Sequence, residues 1–150
     1  MSNDNYPIMI FLPINGISKF MKNNKFGFID AKTGKVICEP IYDDLNIFNN
    51  GFSIVTIKKI KTSWVVINGI QEAIWVRCNG IINKKGEEIL EPIYDNIYYA
   101  KDNLFIVELN YKFGVFDNTG KIILPIEYSH DYILDNWKMV IRRLKLREIV

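Results

Sequence analysis

The chain has one histidine and two cysteines among its 150 residues, and these scarcities remove most enzyme chemistries at the outset. With His130 alone, no Ser-His-Asp or Cys-His arrangement with any redundancy can be drawn, and a metal would have to lean on carboxylates. Cys38 and Cys78 have no Cys-x-x-Cys spacing, which argues against zinc. No Gly-x-Gly-x-x-Gly and no phosphate-binding loop occurs. Acidic neighbours such as Asp43-Asp44 and Glu87-Glu88 do not make an acid/base dyad, because adjacent strand residues point to opposite faces. We therefore expect no catalytic residue, no metal site and no cofactor, and the chain reads as a non-enzyme.

Other shortages narrow the class further. The amino-terminal stretch has no basic region, and its apolar run stops at Pro13, too short for a signal-peptide core or a membrane span. The net charge of +2 is too small to imply nucleic-acid or membrane affinity. Membrane insertion is thus not expected, nucleic acid is disfavoured, and the cytoplasm is the default location. There the two cysteines read as small buried thiols, with a disulfide as the alternative. Alanine is scarce while Ile, Tyr and Phe are plentiful, a bias toward strands. No stretch shows a convincing apolar period of 3.6 over ten or more residues, and the expected fold is all-β.

What the chain does have is one phrase stated three times. It runs from Gly34 through Pro40 to Tyr42, from Gly86 through Pro92 to Tyr94, and from Gly120 through Pro125 to Tyr128. Upstream stand Lys25-Phe26-Gly27-Phe28-Ile29-Asp30, Cys78-Asn79-Gly80-Ile81-Ile82-Asn83 and Lys112-Phe113-Gly114-Val115-Phe116-Asp117. Gly34, Gly86 and Gly120 supply the positive φ of hairpin turns. Each proline is expected to end ladder pairing, having no N–H to donate. Each tyrosine is expected to pack between units with its hydroxyl on a partner, and the Asp after it to cap its own backbone. The resulting division is a partial unit 1–24, unit one 25–57, an insertion 58–76, unit two 77–110 and unit three 111–150. Three units of about 34 residues form an antiparallel, solenoid-like or propeller-like array. Because propellers typically have at least about four blades, we expect an open one.

This pattern resembles the bacterial WG-repeat (KWG-repeat) proteins over roughly residues 16–140. The signature Trp is replaced by Phe26, Asn79 and Phe113, of which Asn79 points to an eroded unit. The resemblance implies β-rich repeats and carries over no catalytic residue.

The insertion is the one departure from regularity. Gly16 to Gly27 and Asn103 to Gly114 each span eleven residues, whereas Gly51 to Gly80 spans twenty-nine, eighteen more. Asn68-Gly69 between two apolar runs is a strong hairpin signal. The hairpin carries Trp64, Trp75, Lys58, Lys59 and Lys61, which read either as an aromatic and basic docking surface or as rings packed onto the sheet beside a solvated edge. The basic stretch Arg142 to Glu148 reads as a charged last strand that blocks edge pairing. Together these features favour a protein-binding module for an unidentified protein partner, of the small inhibitor or immunity kind in a bacterial or phage-like system. A glycan or cell-envelope binder using surface tyrosines is the alternative, and a nucleic-acid binder the third.

Overall fold

The computed structural model describes residues 8–149, with all their side chains except those of 63–67, 71, 72 and 148. It contains three four-stranded antiparallel sheets and no closed barrel. The first holds β1 (Met9–Ile10), β2 (Ile17–Lys22), β3 (Lys25–Asp30) and β4 (Val36–Tyr42). The second holds β5 (Asp44–Leu45), β6 (Phe52–Ile67), β7 (Ile70–Asn83) and β8 (Glu88–Tyr94). The third holds β9 (Asn96–Tyr99), β10 (Phe105–Leu109), β11 (Lys112–Phe116) and β12 (Ile122–Tyr128). Every sheet is a simple meander in chain order. The chain passes from one sheet to the next at Tyr42–Asp44 and Tyr94–Asn96, inside the sequence units 25–57 and 77–110 rather than between them.

The repeated glycine and proline belong to one device. In the first sheet Phe26 stands opposite Tyr42 and Phe28 opposite Cys38, so Glu39, Pro40 and Ile41 bulge across Gly27 alone. Asn79 and Ile81 face Tyr94 and Leu90 around Gly80 in the same way, and Phe113 and Val115 face Tyr128 and Leu124 around Gly114. A Cβ on Gly27, Gly80 or Gly114 would collide with the bulged backbone. The prolines therefore do not end pairing as expected. They sit in bulges, where a missing N–H costs no ladder bond, and the ladder resumes at the tyrosine.

Gly34, Gly86 and Gly120 all have positive φ, at 72°, 78° and 85°. The turns they close are capped by the residue that ends the preceding strand or directly follows it. Asp30 Oδ1 accepts from the N–H groups of Lys32 and Thr33, Asn83 Oδ1 from Lys85 and Glu87, and Asp117 Oδ1 from Thr119 and Lys121. Self-capping therefore falls here and not at Asp43 or Asp95. Those two instead accept at 2.7 Å from backbone N–H groups fifteen residues ahead, Lys58 and Asn110.

Three apolar layers hold the array together. Phe28, Cys38, Tyr42, Leu45, Val55 and Ile82 join the first sheet to the second. Ile81, Leu90, Ile97, Phe105, Val107 and Phe116, with Tyr94 at their margin, join the second to the third. On the far side of the third sheet, Leu104, Ile106, Val115, Ile123 and Leu124 are covered by Ile133 and Val140 from two helices, α1 (His130–Asp135) and α2 (Trp137–Glu148).

These helices overturn the expectation of a last β-strand and of a charged edge guard at Arg142–Glu148. Trp137, Val140, Ile141 and Leu144 repeat at helical spacing and form the face that packs on the sheet. Ser129 starts α1 by accepting the Tyr132 N–H at 3.2 Å. The basic side chains cluster toward the end of α2, where the helix dipole favours cations. In this array the far side of the third sheet is covered by helices.

Cys38 and Cys78 are free and buried. Burial pushes the Cys38 thiol up to about 11, and the Tyr42 and Tyr99 hydroxyls up to about 12. All three folded values lie above the unfolded ones. Their contribution to stability is thus complete below about pH 9 and is lost as the pH rises through the folded values. Chemical denaturation from neutral to strongly alkaline pH should show stability falling above about pH 9, and folded protein at pH 8 should leave both thiols unreactive toward a disulfide reagent. A fast thiol reaction at pH 8, without unfolding, would contradict the buried placement.

Candidate functional site

The first and third sheets close their second hairpin with two-residue turns. Asn23 and Asn24 have φ of 53° and 59°, and Asn110 and Tyr111 of 51° and 63°. These are the doubly positive values of a type I′ turn, which matches the twist of the flanking strands. In the second sheet the same strands run on. Ile57 pairs with Cys78 at the position where Leu109 pairs with Lys112, and pairing continues to Ile67 opposite Ile70. The turn comes only at Asn68 and Gly69, with φ of 53° and 75°. Residues 58–77 therefore form a two-stranded arm. At about 3.3 Å per residue it reaches roughly 25–30 Å beyond the sheet.

The root of the arm is fixed by charge. Asp43 accepts from Lys25 Nζ at 2.6 Å and from the Lys58 N–H at 2.7 Å. Asp95 binds the Asn110 N–H in the same way, so the arm departs where the other sheet turns. Asp44 accepts from Lys19 Nζ at 3.3 Å and from Arg77 at 3.2 Å. Burial alone would raise both carboxyls, but hydrogen bonds from these lysines, Arg77 and the backbone outweigh it and hold them below the usual range. A shallow pocket of about 520 Å³ lies at this root, lined by Lys25, Asp43, Lys58, Trp75, Val76 and Arg77.

Beyond the root, the described side chains of the arm face solvent. Trp75 is 68% exposed, Ile70 66%, Ile60 58% and Ile74 47%. Trp75 stands directly opposite Ile60, between the pairs Lys58–Arg77 and Thr62–Ala73. Lys58, Lys59 and Lys61 are exposed along β6. Trp75 is thus not folded down onto the sheet; the Trp64 side chain lies outside the described residues. A two-stranded ribbon gains little stability by itself, and this one displays an indole and three isoleucines to solvent.

The other residues singled out from the sequence lie in the scaffold. Tyr42 is buried between the first two sheets, Tyr94 packs edge-on against Phe116 at 5.9 Å, and Tyr128 stacks on Tyr132 at 4.7 Å. The expected hydroxyl contact is made by a different tyrosine, Tyr99, which donates to Phe52 O at 2.9 Å. Asn79, at the signature aromatic position, accepts from Thr56 Oγ1 and donates to Asp95 O, both at 2.8 Å. It ties the arm-bearing strands to the crossing into the third sheet. His130 sits against the rings of Phe113 and Tyr98, at 5.3 Å and 6.4 Å. Among the described residues, no group of three His, Cys, Asp or Glu side chains could hold a metal, and no helix is long and apolar enough to cross a membrane.

Comparison with known proteins adds one relationship. The family model described as WG containing repeat matches residues 26–59, 80–113 and 113–130, leaving out nearly all of the arm. No curated protein and no solved structure matches the chain. The matched segments touch all three sheets and together cover more than half of the residues, so the chain belongs to the WG-containing-repeat family.

Proposed function

We propose that the chain is a non-enzymatic protein-binding module whose arm, residues 58–77, docks a protein partner. The observation that carries this reading is Trp75, two-thirds exposed on an element that the repeat does not require. Trp is the residue most often found at the energetic centre of an interface, and apolar neighbours such as Ile60 and Ile74 supply the ring that excludes water. Lys58, Lys59 and Lys61 would steer an acidic partner toward it. A cytoplasmic inhibitor or immunity-type role fits a small scaffold with one projecting contact element.

The test is capture with the immobilised chain, compared with a variant in which Lys58–Arg77 is replaced by Asn-Gly. Loss of a specific partner is expected in the variant, and Trp75→Ala should weaken that partner by about 2 kcal/mol, roughly thirtyfold. Retention of every partner by the arm-less variant would refute the reading.

A second reading, a glycan binder, draws on one feature. Tyr98, Tyr99, His130, Leu134 and Trp137 line a groove of about 390 Å³ between the third sheet and the helices. Its aromatic groups are not the repeated tyrosines, whose rings are taken up by packing between layers.

A further inference from the structure

The root of the arm gathers more positive charge than its carboxylates offset. Lys58 on β6 stands directly opposite Arg77 on β7, at the first pair of the arm. Like charges at such a cross-strand pair have Cβ atoms about 5 Å apart and destabilise each other. The carboxylates that meet this group are Asp43 and Asp44, and all four of their oxygens already accept hydrogen bonds. Asp43 takes the Lys25 ammonium and the Lys58 N–H, and Asp44 takes the Lys19 ammonium, Arg77 and the Leu45 N–H. Lys19, Lys25, Lys58 and Arg77 against these two leave a surplus of two positive charges among the described side chains. Trp75 lies two residues from Arg77 on the same face of β7, a step of about 6–7 Å. Its ring is 68% exposed, and with Lys58 and Arg77 it lines the root pocket of about 520 Å³.

We propose that this pocket binds a phosphate monoester carried on a planar ring, the ring stacked on Trp75 and the phosphate held between Lys58 and Arg77. A phosphate monoester carries a charge of about −1.5 to −2 at pH 7 and three strong acceptor oxygens. That charge matches the surplus, whereas a single carboxylate would offset only half of it. The Arg77 side chain is 60% exposed and meets Asp44 through one terminal nitrogen, which leaves other N–H donors for the phosphate. Stacking on an aromatic side chain tolerates any flat ring. The step of about 6–7 Å from Trp75 to Arg77 suits the ring-to-phosphate distance of a nucleoside monophosphate or of phosphotyrosine. The volume of the pocket falls within the range of small-ligand sites. Trp75 and Arg77 fall outside the segments matched by the repeat family, so the site belongs to the arm and not to the scaffold. The inference rests on the arm as a contact element and names what its root receives.

Titration of the purified full chain, followed by the Trp75 indole N–H signal in a heteronuclear NMR spectrum, tests it. Adenosine monophosphate or phosphotyrosine should shift that signal saturably, with adenosine alone and inorganic phosphate alone at least about tenfold weaker. The stronger of the first two identifies the ring as a base or a phenol. Lys58→Gln should weaken the better ligand by at least about tenfold. Its melting curve should be unchanged, since the root is held by the Lys58 backbone N–H and not by its side chain. Lys85→Gln, on the turn between β7 and β8, should leave binding as it is. No saturable shift at millimolar ligand, or full affinity in Lys58→Gln, would overturn the proposal. Equal binding of inorganic phosphate alone, an adventitious ion only, would also overturn it. Each of these leaves capture of a protein by the arm untouched, and a failed capture leaves the titration untouched, so the two readings fail separately.

Discussion

Gly86→Ala and Gly120→Ala are each expected to destabilise the protein by about 2–5 kcal/mol, and Gly34→Ala by only about 1–2 kcal/mol. All three glycines occupy the same turn position with the same left-handed backbone, so the conformational cost of a Cβ is common to them. Their surroundings differ. A Cβ on Gly86 would overlap the carbonyl oxygen of Ile37 in the preceding sheet, and one on Gly120 that of Ile89. Around Gly34 there is open space. The turn of one sheet thus rests against the return strand of the sheet before it, and the first sheet has no described sheet before it. Urea unfolding of the three variants checks this. Equal losses would mean that the turns do not touch across sheets.

The three repeat tyrosines give the second large effect. Tyr42→Ala should cost about 3–5 kcal/mol, the range for removing a fully buried aromatic ring. Tyr42 is 3% exposed in the layer between the first and second sheets. Tyr94 is half-buried against Phe116, and Tyr128 half-buried beneath α1, where it stacks on Tyr132. The expected order of loss is Tyr42, then Tyr94, then Tyr128, read again from denaturant midpoints. The same loss at all three positions would show that layer position does not govern their contribution.

What could be read from the sequence follows from the range of the physics involved. The hairpin turns were legible because Gly34, Gly86, Gly120 and Asn68-Gly69 fix their own backbone within two or three residues. The arm was legible as a break in spacing. The proline bulges were not, because the residue that makes them possible, such as Gly27 opposite Pro40, lies on another strand. Asp43 and Asp95 misled for the same reason, since their partners are fifteen residues away. The helices were hidden by the repeat itself. It leads to the expectation of a last strand at Arg142–Glu148, and the break at Asn136 leaves α1 only six residues long, too short to show a period. The spacing of Trp137, Val140, Ile141 and Leu144 was the available signal.

The repeat scaffold is expected to fold without its arm. Thermal unfolding of the chain with Lys58–Arg77 replaced by Asn-Gly tests this most directly, because it gives the second sheet the short turn that closes the other two. A cooperative transition within about 4 °C of the unaltered protein is expected, the shift of about 1 kcal/mol in a chain of this size. Loss of the cooperative transition would contradict it and would make the arm part of the core.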